Sequence, residues 1–273
     1  MTTPVYIHGT SAEEQRRLSL MNDVLLNPPS LREMALRGDE RIVDFGSGLG
    51  QFTRAMARAV PRGSVVGLEH SAAQLEGARR LAAENGEEGL ADFRSADVLD
   101  GGLRENEWGT FDVAHARFVL EHVRDPLAVV RNMMRAVRPG GRIILADDDH
   151  DLMRLWPEPP GFSDLWRAYI RSYDRNGTDP FIGRRLVALL HEAGAQPRRN
   201  TLLFFGGCAG MESFDVLAAN MIGVATTARK LIVEHDLMEA ALFDAAVGHF
   251  HAWAKRPDAA LWYAMSWAEA ARP

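Results

Sequence analysis

The chain has 273 residues, 47% of them hydrophobic and 25% charged, so it can bury one substantial core, and one elaborated domain is favoured over two. Its net charge of -6 gives no general attraction to polyanions, and we therefore expect no nucleic-acid partner. The single cysteine, Cys208, excludes a disulfide framework and a cysteine-based zinc site. No early apolar stretch has the form of a signal peptide or a membrane span, so the sequence predicts a cytoplasmic protein.

The first segment of the chain has the pattern of a helical cap. Apolar and charged residues alternate at helical spacing over Ser11–Leu26, which predicts a helix. The residues Asn27-Pro28-Pro29-Ser30 are expected to break this helix before a second one over Leu31–Leu36.

A glycine-rich turn follows the cap. The apolar pair Ile42-Val43 predicts a buried strand and Thr53–Val60 predicts a helix, so the residues between them form a strand-to-helix turn. Glycines occupy every second position of this turn, at Gly46, Gly48 and Gly50. Glycine there lets the backbone approach a ligand closely. The spacing is GxGxG with Asp44 two residues before the first glycine, whereas a dinucleotide loop has the spacing GxGxxG.

Further motifs follow in a fixed order. An apolar run, Ser64–Leu68, ends in Glu69, which lies nineteen residues after Gly50. The later motifs are Phe93–Val98, Phe111–Val123, Asp125-Pro126 and Arg138–Gly141. Together with the glycine turn, this order resembles the class I S-adenosylmethionine-dependent methyltransferases, and most closely their ubiquinone- and menaquinone-biosynthesis-like branch, over Arg41–Asp147.

The resemblance implies a set of cofactor contacts. Asp44 and the backbone of Gly46–Gly48 would hold the methionine end of S-adenosylmethionine, Glu69 the ribose and Asp97 the adenine amine, and S-adenosylhomocysteine would be the product. The backbone around Arg117 would meet the ammonium group. The full set of implied cofactor-binding residues is Tyr6, Asp44, Gly46, Ser47, Gly48, Gly50, Glu69, His70, Ala96, Asp97, Val98 and Arg117.

The predicted fold class is α/β. Alternating strands and helices imply a Rossmann-like, seven-stranded, mostly parallel sheet with helices on both faces. Leu261–Ala268 would be an antiparallel last strand, preceded by a helical insertion over Met211–Lys255. Between the core and the insertion, Phe181–Ala193 predicts a helix that stops at Gly194, and Asn200–Phe205 a strand. One domain over residues 1–273 is expected, with a cap at 1–38, a cofactor core at 39–150 and a substrate side at 151–273.

An acidic segment, Asp147–Asp151, directly follows the fifth predicted strand and contains four acids and a histidine facing the expected substrate opening. Three interpretations stay open. One is a magnesium site, since carboxylate oxygens suit this ion and a catechol acceptor could chelate it. Successive residues cannot all point inward, however, and we assign no metal ligand. Alternatively Asp148 or His150 is a general base or an anchor for a cationic amine, and these two are the catalytic candidates. The third interpretation is a solvated loop with a helix cap.

The predicted function is transfer of a methyl group from S-adenosylmethionine to an oxygen or nitrogen of a small-molecule acceptor. Alternatives are a nicotinamide oxidoreductase, or a cofactor-binding protein repurposed as a cyclase, a regulator or a non-catalytic partner. An adenine-N6 nucleic-acid enzyme is disfavoured because Ala116–Val119 stands where its Asn/Asp-Pro-Pro-aromatic tetrad is expected. His122 is expected to be a packed residue and not a base. The oligomeric state stays open, with a homodimer among the alternatives.

Overall fold

The computed structural model describes residues 19–175 and 177–273, which fall into two compact units. We call the first the core unit, residues 26–149, 181–203 and 265–273, and the second the helical unit, residues 150–180 and 204–264 with the described residues up to Leu25. Tyr6 and the first part of the predicted helix Ser11–Leu26 lie outside the described residues. The expectation of one domain over the whole chain stays a prediction.

Strands and helices alternate through the first half of the described chain. The strands are β1 (Arg41–Phe45), β2 (Ser64–Glu69), β3 (Asp92–Ser95), β4 (Phe111–Arg117), β5 (Val137–Asp148), β6 (Arg154–Trp156), β7 (Gln196–Cys208) and β8 (Ala260–Ala271). The α-helices are α1 (Asn27–Met34), α2 (Gln51–Ala59), α3 (Ala72–Glu84), α4 (Pro126–Ala136), α5 (Phe162–Ser172), α6 (Leu186–Glu192), α7 (Glu212–Thr227), α8 (Arg229–Glu234) and α9 (Ala240–Trp253).

The core unit contains a parallel sheet in the order β3-β2-β1-β4-β5. The residues of β8 from Met265 onward pair antiparallel with β5. β1 lies between β2 and β4, so successive strands are added on one side of β1 and then on the other, while all of them stay parallel. Sheets of this kind usually bind ligands at this point, in a crevice at the carboxyl ends of the strands. The predicted fold class, including its antiparallel last strand, is confirmed.

Local sequence explains where the helices of this sheet begin. The Ser71 hydroxyl accepts a hydrogen bond from the Gln74 amide and caps α3. The Asp125 carboxylate accepts one from the Ala128 amide at 2.9 Å, with Pro126 as the first residue of α4. One face of α4 is then buried through Val129, Val130 and Met133 against the apolar side chains of β1, β4 and β5.

The helical unit is built around aromatic side chains. Trp166 of α5 stacks on Tyr169, with ring centroids 4.8 Å apart, and Phe162 contacts Phe250 of α9 edge-on at 5.1 Å. The short strand β6 pairs antiparallel with the first residues of β8. Among the described residues, Glu212–Glu234 is a helical stretch long and apolar enough to cross a bilayer; 56% of its apolar window is buried, and buried core helices meet the same criterion.

Several boundaries differ from the sequence-based expectation. The residues Asn27-Pro28-Pro29-Ser30 do not break a helix but begin α1, because the first turn of a helix needs no intrahelical N–H donor. The predicted helix Phe181–Ala193 starts as a 3-10 turn over Ile182–Arg185 before α6. The predicted helical insertion over Met211–Lys255 consists of the three helices α7, α8 and α9. The sheet has eight strands among the described residues instead of seven, since the three residues of β6 are too few to show an alternating pattern.

Candidate active site

The glycine turn is tied to the neighbouring strand by its backbone. The amides of Gly46 and Ser47 both donate to the carbonyl oxygen of Leu68 in β2, at 2.8 and 2.9 Å. The Gly50 amide donates back to the Ser47 carbonyl at 2.9 Å. Three backbone hydrogen bonds within the protein therefore hold the conformation of the turn at the carboxyl end of β1.

The three glycines differ in what surrounds them. A Cβ atom on Gly46 would lie 2.4 Å from a methyl group of Val119, and one on Gly50 would lie 2.4 Å from the ring of Phe93. Packing within the protein thus accounts for both. At Gly48 the Cβ would meet only the side-chain oxygen of Gln74, at 3.0 Å. Gly48 has a φ of +54°, which favours glycine by itself, and of the three it is the one whose Cβ position is not filled by an apolar side chain. Internal packing therefore leaves most room beside the main chain at Gly48.

Asp44 is almost completely buried, with 4% of its surface exposed. The Thr53 hydroxyl donates to Oδ2 at 2.6 Å, and Nδ1 of His115 lies 2.8 Å from Oδ1. His115 is the register partner of Asp44 on β4 and is itself buried. The side chains of Thr53 and His115 therefore hold the Asp44 carboxyl group in one orientation.

Glu69 links the glycine turn to the turn after β2. Its Oε2 accepts from the Gly48 amide at 2.9 Å and its Oε1 from the Ser71 amide at 2.7 Å. The carboxylate lies at the carboxyl end of β2 and is mostly buried, whereas the next residue, His70, is exposed. Glu69 is thus an acceptor beside Gly48, at the position where the sequence places the ribose.

The third segment that the sequence predicts to contact the cofactor follows β3. The Ala96 amide donates to the Glu69 carbonyl at 3.0 Å, and Asp97 is exposed, with its Oδ1 accepting from the Leu99 amide at 2.9 Å. Val98 is buried, and its carbonyl accepts from the side-chain amide of Asn132 at 3.0 Å. The structure therefore brings the segments around Gly48, Glu69 and Asp97 to the same edge of the sheet.

Arg117, the last residue of β4, is half-buried. Its guanidinium lies over the Phe52 ring, 4.1 Å from the centroid, and donates to the side-chain oxygens of Asn27 at 2.9 Å and Ser30 at 3.3 Å. Burial lowers the pKa of Arg117 to about 10, against the opposing effect of the Asp44 charge, so the side chain is positive at neutral pH.

The sequence had indicated only the backbone at Arg117 and had assigned no role to His115. Residues 115 and 117 share one face of β4 because strand side chains alternate, and Asp44 lies beside that face. In the predicted strand, an imidazole at position 115 and a guanidinium at position 117 lie two residues apart. This spacing was the signal that could have identified both side chains.

The acidic segment Asp147–Asp151 covers the last two residues of β5 and the three that follow. Its side chains do not share one environment, whereas the sequence predicts that they face the substrate opening together. Asp147 is fully buried and its carboxylate accepts from three amides: Oδ2 from Val119 at 3.1 Å and Leu120 at 2.8 Å, and Oδ1 from Asp148 at 3.0 Å. Burial raises the pKa of Asp147, and the charges of Glu121 and Asp148 raise it further, while the amides oppose.

Asp149 has a different structural task in the same segment. It is 5% exposed and forms a two-pronged ion pair with Arg184, at 2.7 and 2.6 Å. Asp147 and Asp149 thus support the fold of the core unit. Of the expected cluster, Asp148, His150 and Asp151 are left.

The two catalytic candidates fall in different units. Asp148 is a half-buried residue of the core unit. His150, in the helical unit, is buried, with Nε2 3.1 Å from the Tyr173 hydroxyl and Nδ1 3.3 Å from the Tyr263 hydroxyl. The Tyr173 hydroxyl in turn lies 3.0 Å from that of Tyr169, so His150 is part of a buried chain of four hydrogen-bonding side chains. A catalytic role for Asp148 or His150 stays a prediction.

An open, mostly parallel sheet with a glycine turn after β1 and an acid at the end of β2 defines a nucleotide-cofactor-binding protein of the doubly wound class. Comparison with protein families makes this specific. The model of a family described as a methyltransferase domain matches residues 13–200.

Two relatives show how far the similarity extends. A ubiquinone biosynthesis O-methyltransferase of Pseudomonas aeruginosa (strain LESB58) is 32% identical over 186 residues, 68% of this chain and 70% of that protein. An uncharacterized 37.1 kDa protein in transposon TN4556 of Streptomyces fradiae is 34% identical over 167 residues, 58% of this chain. The match spans 44% of that second relative, which is less than half of its length. The chain belongs to the class I S-adenosylmethionine-dependent methyltransferases, and its cofactor is S-adenosylmethionine.

Solved structures agree on the fold. A putative methyltransferase from Bacillus halodurans C-125 superposes with a TM-score of 0.58 at 17% identity, over 95% of this chain and 99% of that one. The [4+2]-cyclase SpnF superposes with a TM-score of 0.52 at 19% identity, over 95% of this chain and 82% of the cyclase. At these identities the similarity establishes the fold alone.

Proposed function

We propose that the protein transfers a methyl group from S-adenosylmethionine to an oxygen or nitrogen atom of a small-molecule acceptor. The observation that carries the proposal is the pairing of Glu69 with the Gly48 amide at 2.9 Å, which places a carboxylate next to the one glycine of the turn that internal packing leaves open. The name of the Pseudomonas aeruginosa relative, an O-methyltransferase, favours oxygen as the acceptor atom.

Each part of the cofactor has proposed partners in the core unit. The methionine end would lie against Asp44 and the turn from Gly46 to Gly48, near the start of α2, whose backbone amides favour negative charge. Glu69 would accept the ribose hydroxyls. The remaining proposed contacts, on the adenine and around the turn, are Ser47, Gly50, His70, Ala96, Asp97 and Val98. The backbone around Arg117 would meet the ammonium group, and Tyr6, outside the described residues, is also proposed to contact the methionine end.

The proposed chemistry is an in-line displacement at the methyl carbon. A lone pair of the acceptor atom forms the new bond to carbon while the carbon–sulfur electron pair stays on sulfur, which gives S-adenosylhomocysteine. Methyl transfer of this kind gains much of its rate from positioning, up to about 7 to 11 kcal/mol in well-oriented systems. Asp148 or His150 would take the proton that a hydroxyl or ammonium acceptor loses, or would hold a cationic amine in place.

The experiment that tests the cofactor site is a calorimetric titration with S-adenosylhomocysteine, run beside NAD. Wild type should bind S-adenosylhomocysteine saturably. Gly48→Val should lose at least tenfold in affinity because its side chain would occupy the space of the ligand. Gly86→Val is the matched control, since Gly86 has a similar positive φ, +67° against +54°, and nothing lies within 4 Å of its Cβ position. Tighter binding of NAD, or no binding of S-adenosylhomocysteine by wild type, would overturn the proposed cofactor site.

A second candidate function is a cofactor-binding protein whose reaction is a cyclization or whose role is regulatory. The structural similarity to SpnF supports it, and the proposed cofactor contacts would be identical in both cases. Label transfer separates the two. Incubation with methyl-labelled S-adenosylmethionine and a panel of phenols and amines should give labelled product under the first proposal. Tight cofactor binding without labelled product from any phenol or amine would favour the second.

A further inference from the structure

We propose that one face of the sheet in the helical unit, formed by β6, the start of β8 and the end of β7, is a docking surface for a second copy of the chain. We call it the aromatic face and define it by Trp156, Phe204 and Trp262, all of which belong to the helical unit. The proposal does not depend on the proposed methyl transfer. The exposure of three aromatic rings on one side of the sheet carries the inference.

Strand pairing places Trp156 and Trp262 on the same side of the sheet. In the antiparallel pair of β6 and β8, Trp156 lies opposite Ala260, which is two residues before Trp262. Opposite residues of paired strands point to the same side, and so do residues two apart in one strand. The buried side chains of Leu155 and Leu261 alternate with these positions and point to the other side.

The third ring comes from β7, which also pairs with β8. The rings of Phe205 and Tyr263 contact each other with their centroids 5.4 Å apart, and Tyr263 is buried. Because neighbouring residues of a strand point to opposite sides, Phe204 and Trp262 face away from this buried contact. All three rings therefore lie on the side of the sheet that faces solvent.

The exposed area of the aromatic face is large enough to matter for association. Trp156 is 69% exposed, Phe204 74% and Trp262 51%. Since an enclosed aromatic side chain buries about 150–250 Å², these fractions correspond to roughly 400 Å² of aromatic surface. Monomeric proteins rarely expose larger apolar patches without a function. The three rings would supply about half of the roughly 800 Å² that each partner contributes to a stable interface.

The charge of this face favours a second copy as the occupant. Among the described positions on this side of β6, β7 and β8 within the helical unit, Arg154 is the only charged residue. Its guanidinium is held by the chain itself, donating to the Met153 carbonyl at 2.7 Å and to the Asp151 carbonyl. A twofold axis brings the same patch of two copies together, which uncharged rings allow and like charges oppose. An anionic membrane instead attracts clusters of about four to eight basic residues.

The test measures self-association of the full chain by sedimentation velocity at about 1 to 100 μM protein, a range that spans micromolar Kd values. Wild type should dimerise as the concentration rises. Trp262→Ser should weaken the dimer at least about 30-fold, the effect of truncating a hot-spot tryptophan, while an unchanged circular dichroism spectrum checks that the variant is folded. Acrylamide should quench the tryptophan fluorescence of wild type less in the dimer, because the rings of Trp156 and Trp262 become covered.

Leu242→Ser is the matched control, because Leu242 is 58% exposed but lies on α9 and not on the strands. It should change the Kd of the dimer by less than about threefold. A wild type that stays monomeric over the whole range would overturn the proposal, and so would a dimer that Trp262→Ser leaves intact. Flotation of a monomeric wild type with phosphatidylserine vesicles, lost in Trp262→Ser, would assign the aromatic face to a lipid surface instead.

Discussion

At the residue scale, Asp147 shows how a carboxylate can shape the site without facing it. Its three amide donors include those of Val119 and Leu120, which belong to the turn after β4. Val119 packs so closely on Gly46 that no side chain would fit there. Asp147 therefore holds the turn that contacts the glycine loop, and its burial has a consequence for the pH dependence of stability.

We predict that Asp147→Asn lowers the free energy of unfolding by about 1–3 kcal/mol near pH 5, because the amide group cannot accept from all three donors. The pKa of Asp147 is raised in the folded protein, so the folded state binds more protons than the unfolded state above about pH 4. The wild type consequently loses this contribution as pH rises from about 4 through the folded pKa. The cost of Asp147→Asn should shrink over that range, as measured by urea unfolding at several pH values.

Asp112→Asn is a control of opposite sign. Burial acts to raise the pKa of Asp112, but hydrogen bonds from the Arg41 amide and the Arg138 side chain outweigh it, and the net pKa is lowered. Its stabilising effect is present above about pH 4 and is lost as pH falls. The cost of Asp112→Asn should accordingly grow with pH. A cost of Asp147→Asn that also grows with pH would contradict the raised pKa.

At the element scale, the contact between the glycine loop and β3 determines how closely β1, β2 and β3 come together. Gly50 has a φ of +71° and its Cβ position lies 2.4 Å from the ring of Phe93 and 3.2 Å from Ala78 of α3. Gly86, after α3, has a φ of +67° with nothing within 4 Å of its Cβ position. The two glycines share a backbone conformation and differ in packing.

We predict that Gly86→Ala costs about 1–2 kcal/mol of stability, the strain of a left-handed alanine. Gly50→Ala should cost about 1–3 kcal/mol more, because it adds a methyl group to a packed contact. In a double-mutant cycle measured by chemical unfolding, Phe93→Ala should remove most of that extra cost. Equal costs for the two glycine variants would mean that the loop can move away from Phe93 freely.

The elements also show which parts of the structure follow from local sequence. The apolar runs of β1, β2, β4 and β5 are recognisable as strands in the sequence, and Asp44 and Glu69 lie at the predicted strand ends. The directions of Asp147 and Asp149 do not follow from local pattern, since their partners lie far along the chain: Leu120 is 27 residues before Asp147 and Arg184 is 35 residues after Asp149. Only the folded sheet brings these partners together.

The same dependence on distant residues explains why the sequence does not predict the contacts of the Arg117 side chain or the start of α1. The position of the Arg117 guanidinium depends on Phe52, Asn27 and Ser30, which come from two helices that lie 65 to 90 residues earlier. The start of α1 at Asn27 depends on whether Pro28 falls in a first turn or in a later one, and the local composition allows either.

At the scale of the whole molecule, the sequence predicted one domain and the structure divides into two compact units. All the proposed cofactor contacts among the described residues, from Asp44 to Arg117, belong to the core unit. Ligand binding therefore provides a way to ask whether the chain unfolds as one cooperative domain. A ligand that binds only folded protein stabilises whatever unfolds together with its site.

We predict that S-adenosylhomocysteine at about 100 times its Kd adds about 2.7 kcal/mol to the unfolding free energy. For a chain of this length, a single cooperative transition should move up by roughly 5 to 11 °C, since each kcal/mol shifts Tm by about 2–4 °C. Scanning calorimetry with reducing agent, which keeps the exposed Cys208 reduced, measures it. NAD at the same concentration should leave Tm unchanged. Two transitions, of which the ligand shifts only one, would contradict the single-domain prediction. They would support a cofactor site confined to the core unit, because only a unit that unfolds independently of the site is insensitive to the ligand.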